Sequence, residues 1–331
     1  MTIVNNKSNK NNKNLTAAKA AKNDRFFTQM RDIENELQHY RRYLKGKTVY
    51  VNCDGSIESN FRKHLMMAFD IYGLKRLIIT SFNIDGSPAN KYDITSSMNG
   101  DYKKLLATKP AKLKGDGDFR SDECIELLKQ ADVVIGNPPF SLFRSYVEQI
   151  IAHKKKMIIL GNANAITFKE IFPLIKANKL WLGVASGAME FQIPAEYADT
   201  VTSSRVDENG NIFSKLGFVR WFTNLTHNKR KEKLIMYKKY SKTEYPKFDN
   251  YDAINVNKVA GIPLDYAGAM GVPITFLDRF NPDQFEIVMC DDIRKVHMTK
   301  SKPTGLIKDA DGKVNGVNKY ARIVIRNKNP K

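Results

Sequence analysis

The run Ala131-Asp132-Val133-Val134-Ile135-Gly136-Asn137-Pro138-Pro139-Phe140 predicts more about the structure than any other part of the chain. Its apolar first half, which ends at Gly136, predicts a buried strand, and the four residues that follow predict a tight turn. In doubly wound α/β folds, ligands bind just outside the carboxyl ends of such strands. We therefore expect a ligand site at this turn.

The two prolines give the turn a defined chemistry. Neither has a backbone N–H, and Asn137 is biased toward an extended conformation by the proline after it. The Asn137 side-chain oxygen and the Pro138 carbonyl could accept both hydrogens of an exocyclic amine on a base, while Phe140 could stack on that base. A chance Asn-Pro-Pro-Phe string in a loop is the alternative. The strand before the turn and the amphipathic helix predicted after it, over 141–150, favour the functional interpretation.

Alternating strand and helix patterns predict an α/β fold with a doubly wound, mostly parallel sheet. Strands are predicted at 47–53, 74–82, 131–136 and 156–162. Helices are predicted at 57–72, 123–129, 141–150 and 166–176. Between 83 and 114 the only signal is weak helical content at 102–106. Later strands follow one another without helices, at 180–184, 211–225, 233–240 and 320–326.

Composition points to a polyanionic partner. Among the 331 residues, 54 Lys and Arg stand against 35 Asp and Glu, giving a formal net charge of +19. Such an excess favours nucleic acid, because phosphate neutralisation supplies most non-specific affinity; a merely lysine-rich soluble protein is the alternative. We predict a disordered basic tail at 1–23, a catalytic domain at 24–240 and a basic recognition region at 241–331, whose elements begin as early as about residue 200.

The cysteine pattern argues against a metal site. Cys53, Cys124 and Cys290 are far apart and match no CxxC spacing, so we expect neither zinc nor a disulfide framework. No stretch is apolar enough to span a membrane, and no signal-peptide core is present. A reducing, cytoplasmic location is expected.

The Asn-Pro-Pro-Phe turn resembles the motif of amino-methyltransferases that use S-adenosylmethionine (SAM), in which Asp, Asn or Ser precedes Pro-Pro and an aromatic residue. Phe26-Phe27-Thr28-Gln29 resembles the N-terminal Phe-Tyr-Thr-Pro type segment that enzymes of the γ order place beside the methionine part of the cofactor. The resemblance implies that SAM is the cofactor. It assigns the catalytic role to Asn137, Pro138, Pro139 and Phe140.

Longer segments resemble the EcoRI adenine methyltransferase family more closely, and they imply N6-methylation of adenine in duplex DNA. These segments are Arg25-Phe26-Phe27-Thr28-Gln29, 32–38, 49–54 and 59–61. That family also lacks the glycine-rich loop after the first strand, as this chain does. Toward the C-terminus, 271–277, Asn281-Pro282 and 284–287 resemble a segment shared with related phage and bacterial adenine methyltransferases.

A SAM enzyme needs acidic groups in the loops that follow its strands. Asp54 could pair with the cofactor's ammonium group, although Asp54-Gly55 could simply form a turn. Asp118 is placed to receive the amino group of the cofactor's adenine. Ser81-Phe82-Asn83 lacks the usual acid for the ribose, so the ribose ligands stay open. The full cofactor set predicted is Phe27, Thr28, Cys53, Asp54, Asp118, Phe119 and Asn137.

A basic region predicts the DNA contacts. The stretch 205–247 holds eleven basic and four acidic residues, with a solvated charged face as the alternative. The candidates are Arg205, Arg220, Lys229, Arg230 and Lys231. We expect a monomer that acts on double-stranded DNA with a flipped base and has no membrane partner. It would be a bacterial or phage enzyme, either solitary or paired functionally with a restriction endonuclease without a stable complex.

Two other classes of function stay open at this point. Enzymes that methylate RNA bases or protein glutamine use the same turn, although the basic C-terminal region and the EcoRI-type segments argue against them. A DNA-binding relative that kept the fold but lost catalysis is the third possibility. The intact Asn-Pro-Pro-Phe turn argues against it, and failure to bind SAM would support it.

Overall fold

The computed structural model describes residues 27–52, 59–95, 100–193, 204–249, 251–291, 313–315, 317–318 and 321–331. The predicted tail at 1–23 and the candidates Cys53 and Asp54 lie outside the described residues. The chain forms two compact units. The first unit is built from residues up to 163 and from 185–225, and the second from 164–184 and 226–331.

The described elements are labelled here in chain order. The strands are β1 (Phe27–Thr28), β2 (Thr48–Val51), β3 (Arg76–Thr80), β4 (Asn90–Ile94), β5 (Ala111–Lys112), β6 (Val133–Gly136), β7 (Lys156–Asn162), β8 (Trp181–Leu182), β9 (Met189–Ile193), β10 (Ser204–Val206), β11 (Ile212–Leu216), β12 (Val219–Thr223), β13 (Ile254–Asn255), β14 (Met270–Pro273), β15 (Phe285–Asp291), β16 (Lys313–Val314), β17 (Val317–Asn318) and β18 (Arg322–Asn327). The α-helices are α1 (Met30–Leu37), α2 (Arg41–Leu44), α3 (Asn60–Met67), α4 (Tyr102–Leu106), α5 (Asp122–Gln130), α6 (Phe143–Ala152) and α7 (Phe172–Lys176). Short 3-10 helices cover Gln38–Tyr40, Phe140–Leu142, Ala163–Thr167, Asn228–Lys231, Val259–Gly261 and Ile274–Arg279.

The main sheet of the first unit confirms the predicted mixed α/β class. Its seven strands in this unit lie in the order β5-β4-β3-β2-β6-β7-β12. The four central strands, β3, β2, β6 and β7, are parallel, and β4, β5 and β12 run antiparallel to their neighbours. Every residue of β2 and β6 is buried, as expected for strands covered on both faces.

The direction of the chain across this sheet reverses beside β2. The chain passes from β2 to β3 on one side and later returns to β6 on the other side, with Val49 opposite Val133 and Tyr50 opposite Val134. Such a reversal opens a crevice at the carboxyl ends of the two strands. Asn137 is the first residue after β6, so the Asn-Pro-Pro-Phe turn begins at this crevice.

Helix ends are fixed by short polar side chains that the sequence supplies. Ser59 caps α3 by accepting a hydrogen bond from the backbone N–H of Arg62, and Ser121 caps α5 by accepting one from Cys124. These caps set where both helices start. Helix α3 begins at Asn60, later than the predicted residue 57, and α5 begins at Asp122, one residue before the predicted start. No helix in the described ranges is long and apolar enough to cross a membrane.

A second, antiparallel sheet in the first unit has the order β1-β9-β11-β10. Phe27 lies opposite Gln192 and Thr28 opposite Phe191, so the N-terminal segment is an edge strand of this sheet. The single strand predicted at 211–225 is wrong. A turn at Gly217 divides it into β11 and β12, and these two strands join different sheets. The prediction of irregular structure at 83–114 missed β4, in which only Tyr92 and Ile94 are buried.

The second unit contains a sheet of order β13-β14-β18-β15 and the β16–β17 hairpin. Phe248, Ala253, Val314 and Val324 form a small core there. The strand predicted at 320–326 corresponds to β18. The strand predicted at 233–240 is wrong, because the segment is extended but its only strand-type pairing in the described structure is the bridge between Lys238 and Pro263.

A close approach of α6 to β7 makes Gly161 a sensitive position. A Cβ atom there would lie 2.3 Å from Cε2 of Phe143, the first residue of α6. Gly161→Ala should therefore displace the start of α6 and cost roughly 1–3 kcal/mol of stability, as overpacked cores do. Gly217→Ala is the matched control, because a Cβ atom at Gly217 meets nothing within 4 Å. Thermal unfolding should show a lowered Tm for the first variant only; equal melting of both would contradict the packing argument.

Candidate active site

The Asn-Pro-Pro-Phe turn joins β6 to α6 through the 3-10 helix Phe140–Leu142. Pro138 and Pro139 are buried, and Pro139 is extended, with φ −53° and ψ 128°. The Leu142 N–H donates to the Pro139 carbonyl at 2.9 Å, which closes the turn. Phe140 is half-buried and packs against the core of the first unit. The four predicted catalytic residues thus form one short, continuous element.

The turn contacts the N-terminal strand, although 109 residues separate the two in sequence. Asn137 Nδ2 lies 3.5 Å from Thr28 Oγ1, which is a long hydrogen bond. Thr28 is itself fixed, because its side chain is buried and its carbonyl accepts a 2.8 Å hydrogen bond from Asn60 Nδ2 at the start of α3. The structure therefore brings the predicted residues Thr28 and Asn137 together.

A buried polar cluster at the ends of β2 and β3 was missed by sequence reasoning. Asn52 Nδ2 donates to the Tyr50 hydroxyl at 2.8 Å and to Thr80 Oγ1 at 3.0 Å, and the two hydroxyls lie 3.2 Å apart. Burial raises the pKa of Tyr50 well above its ordinary value, so the phenol stays protonated and can serve as a donor. The cluster fixes the carboxyl end of β2 beside that of β3. Its signal in the sequence was a polar residue at the end of an apolar strand.

The loop 115–118 packs on the end of β3. Gly117 has φ +81°, and a Cβ atom there would lie 2.0 Å from the Ser81 carbonyl oxygen. The Asn83 N–H donates to the Asp116 carbonyl at 2.9 Å, and the Ala89 N–H donates to Gly115 at 2.9 Å. The loop that carries Asp118 therefore lies against the Ser81-Phe82-Asn83 segment, for which the sequence left the ribose ligands open.

The two cofactor candidates in this loop already have partners. The Asp118 carboxylate accepts two charge-assisted hydrogen bonds from Arg120, at 2.9 and 2.5 Å. The Phe119 ring is buried and meets Tyr146 of α6 edge to face at 5.0 Å, and the Phe119 carbonyl accepts a 3.0 Å hydrogen bond from Gln149. Phe119 thus anchors the loop to the helix that follows the Asn-Pro-Pro-Phe turn. Arg120, the partner of Asp118, is half-exposed and can move into solvent.

The basic candidates of the first unit make intramolecular contacts. Arg205 forms a bidentate ion pair with Glu190, at 3.0 and 2.6 Å, and its guanidinium lies 4.3 Å from the centre of the Phe213 ring. Arg220 donates to three backbone carbonyls, including those of Gly187 and Gly217. Either side chain would have to give up such contacts to reach a nucleic acid.

The basic candidates of the second unit differ in exposure. Arg230 is only 8% exposed; its guanidinium lies 3.8 Å from the centre of the Trp181 ring and donates to Asn178 Oδ1. Burial lowers the pKa of Arg230 to about 10, so it still carries its charge near neutral pH. Lys229 donates to the Val184 carbonyl at 2.8 Å, whereas Lys231 is exposed. Arg230 is thus a packing residue of this loop, and Lys231 is accessible to a partner.

Comparison with known proteins first defines the class. Three relatives named type II methyltransferases cover nearly the whole chain. M.EcoRI of Escherichia coli is 45% identical over 97% of this chain and 98% of its own length. M.MgeORF184P of Mycoplasma genitalium is 41% identical over 93% of this chain and 97% of its own length. M.MpnI of Mycoplasma pneumoniae is 39% identical over 93% of this chain and 96% of its own length.

The particular family follows from a second match. Residues 14–328 match the family described as Adenine-specific methyltransferase EcoRI. The chain belongs to this family and is an adenine-specific DNA methyltransferase. The family resemblance inferred from the sequence segments is thereby confirmed. A solved structure of precorrin 8W decarboxylase from Methanobacterium thermoautotrophicum matches 60% of this chain and 89% of its own, with 10% identity and a TM-score of 0.29. This likeness is too weak to indicate a shared fold.

The contact between Thr28 and Asn137 predicts a role for Thr28 in the rate of methyl transfer. Catalytic hydrogen bonds that are long in the free enzyme often shorten in the reacting complex. Thr28→Val, which keeps the shape and removes the hydroxyl, should lower the single-turnover rate about tenfold, the loss expected for one hydrogen bond. Thr28→Ser should retain most of the rate. If Thr28→Val instead weakened methyl-donor affinity and left the rate intact, Thr28 would serve the cofactor alone.

Proposed function

We propose that the protein transfers a methyl group from SAM to N6 of an adenine flipped out of duplex DNA, at the Asn137-Pro138-Pro139-Phe140 turn. The observation that carries this proposal is the position of the turn. It begins at the carboxyl end of β6, where the direction of the chain across the sheet reverses, and ligands of α/β sheets bind at such points. A Rossmann-like fold for the first unit is part of the same proposal.

Asn137 and Pro138 supply the chemistry on the base. Adenine N6 is a poor nucleophile because its lone pair is delocalised into the ring. Acceptance of both N6 hydrogens, by Asn137 Oδ1 and the Pro138 carbonyl, favours a pyramidal nitrogen with its lone pair directed at the methyl group. An amide whose Nδ2 faces Thr28 presents Oδ1 on its other side, as this step requires. Positioning and electrostatics then provide most of the rate enhancement.

The candidate cofactor residues fit SAM by their donor and acceptor chemistry. Asp54 would pair with the cofactor's ammonium group, with Cys53 beside it and with Phe27 and Thr28 near the methionine part. Asp118 would accept from the adenine amino group after Arg120 moves into solvent, while Phe119 holds the loop in place. When bound, SAM supplies an electrophilic methyl group. Within the described ranges, no three His, Cys, Asp or Glu side chains are grouped as metal ligands would be.

The adenine must leave the duplex before it can reach the turn. Extrusion costs a few kcal/mol, and stacking on Phe140 would offset part of it. We assign direct phosphate contact to the exposed Lys231, with Lys229, Arg205 and Arg220 available after their present contacts break. Arg230 would support the loop from beneath, because it is buried against Trp181.

A biological setting is part of the proposal. We propose that the enzyme acts as a monomer in the cytoplasm, either as the modification partner of a restriction endonuclease or as a solitary or phage methylase. Catalysis would belong to the first unit and DNA recognition largely to the second. The assignment of 24–240 to catalysis and 241–331 to recognition stays a prediction.

Sequencing with detection of modified bases tests the proposed function most completely. DNA from cells that express the protein should carry N6-methyladenine at one recurrent sequence, and DNA from cells that express Asn137→Ala should not. Methylation of cytosine, or of adenine without sequence preference, would overturn the proposal. A parallel methyl-transfer assay with RNA and protein substrates should give no signal.

Asn137→Ala and Asp54→Ala should separate catalysis from cofactor binding. Loss of one preorganised transition-state partner typically costs ~3 kcal/mol, so Asn137→Ala should slow methyl transfer by on the order of a hundredfold or more at nearly unchanged SAM affinity. Asp54→Ala should weaken SAM binding first. Calorimetry and single-turnover assays measure the two effects. Near-normal turnover of Asn137→Ala would refute the mechanism, and unchanged SAM affinity in Asp54→Ala would remove Asp54 from the site.

Phe140→Ala should lose roughly 1–3 kcal/mol of base stacking, whereas Phe140→Tyr and Phe140→Trp should keep much of it. The loss should depend on the DNA, because an adenine in a mismatch is already partly unstacked and costs less to extrude. Fluorescence of 2-aminopurine at the target position measures extrusion directly. Equal losses on matched and mismatched DNA, together with a lowered Tm, would show instead that Phe140 only packs the turn.

A further inference from the structure

The extended segment 232–240 of the second unit is held by the Asn281-Pro282-Asp283-Gln284 loop. The side-chain amide of Gln284 binds both backbone groups of Leu234: Oε1 accepts from the Leu234 N–H at 2.7 Å, and Nε2 donates to the Leu234 carbonyl at 2.8 Å. Asn281 Nδ2 donates to the Glu232 carbonyl at 3.2 Å. One amide side chain thus takes the place of a neighbouring strand.

The far end of the same segment is fixed as well. The Leu264 N–H donates to the Lys238 carbonyl at 2.9 Å, and the Tyr240 N–H donates to Asp265 Oδ1 at 2.7 Å. The Tyr240 ring packs on Tyr266 with 4.6 Å between ring centres. Hydrogen bonds at both ends therefore fix the course of the backbone through the middle of segment 232–240.

Two large apolar side chains project from this anchored segment into solvent. Leu234 and Met236 are half-buried, whereas Ile235 is 84% exposed and Tyr237 is 66% exposed. This alternation matches that of a strand with one free face. Ile235 is more exposed than any other large apolar side chain identified in the described structure. A rigid backbone that presents such side chains has the character of an interaction surface.

The charge around these side chains selects the partner. Between residues 229 and 242 there are seven basic residues and one acidic residue, Glu232. The groove beside Ile235 is lined by Lys229, Lys233 and Arg279 with Glu232 as its only acid among the lining residues. Such a surface attracts phosphates, and it would repel a second copy of a chain whose net charge is +19. Duplex DNA, with phosphates outside and apolar base faces inside, complements both features.

We propose that segment 232–240 is a DNA-contact element, in which Lys233 and Lys239 follow the phosphate backbone and Ile235 and Tyr237, on the same face, contact the bases. Proteins that distort duplex DNA insert apolar side chains of this kind at base steps. Asn281 and Gln284 act as positioning residues that hold the element. This gives a purpose to the Asn281-Pro282 and Gln284 pattern, which the catalytic turn does not explain. The inference rests on the proposed function, since it takes duplex DNA as the substrate.

The test compares Ile235→Ala with Ile71→Ala, a control isoleucine of the first unit that is 64% exposed. Fluorescence anisotropy measures binding to a short mixed-sequence DNA duplex and to heparin, a polyanion without bases. Ile235→Ala should weaken duplex binding about tenfold, which corresponds to ~1.4 kcal/mol, and leave heparin binding unchanged. Ile235→Leu should restore the affinity. Lys239→Ala should weaken both complexes and reduce the salt slope by about one.

Three results would overturn the inference. The first is that Ile235→Ala and Ile71→Ala bind the duplex with equal affinity. The second is that Ile235→Ala weakens heparin binding as much as duplex binding. The third is that the free wild-type protein sediments as a dimer and Ile235→Ala as a monomer, which would show that the surface joins two copies. Gln284→Leu should reproduce the duplex defect of Ile235→Ala, while the surface variants keep the wild-type Tm. Methylation by the wild-type protein is measured separately on genomic DNA, which contains every short recognition sequence. Binding without methylation would count against the proposed function alone, and methylation with an inert Ile235 would count against this inference alone.

Discussion

The parallel pairing of β2 with β6 is the contact on which the rest of the candidate site depends. Because the chain leaves β2 toward β3 and returns on the other side at β6, the residues that follow these two strands meet at one crevice. Asn52 and Asn137 are those residues. Both strands are fully buried, so the positions of their ends are set by the core rather than by the loops.

Close contacts behind the crevice then determine the shape of each loop. Gly161 lets α6 lie directly on β7, and Gly117 lets the Asp118 loop lie on the Ser81 carbonyl. Thr28 approaches Asn137 because β1 pairs with β9 and because Asn60 holds its carbonyl. Each contact joins parts of the chain that are distant in sequence. The site is therefore a product of tertiary packing as much as of the Asn-Pro-Pro-Phe motif.

Sequence reasoning succeeded where the signal is local. Continuous apolar runs predicted β2, β3, β6 and β7, and the proline pair predicted the turn. It failed where a partner far along the chain decides the structure. The Gln284 side chain makes hydrogen bonds to both backbone groups of Leu234, so the strand pattern at 233–240 does not become a strand of a described sheet. Trp181 covers Arg230, so this basic residue is buried although it lies in a charged run. Charge in a sequence gives the sign of a surface, not the side chains that reach it.

A structure of the enzyme with duplex DNA and a non-reactive SAM analogue tests the central claim most directly. The account predicts an adenine outside the helix, with N6 at hydrogen-bond distance, roughly 2.7–3.2 Å, from both Asn137 Oδ1 and the Pro138 carbonyl. Phe140 should lie parallel to the base. An adenine that remains stacked in the duplex, or an N6 atom that contacts neither acceptor, would contradict the account.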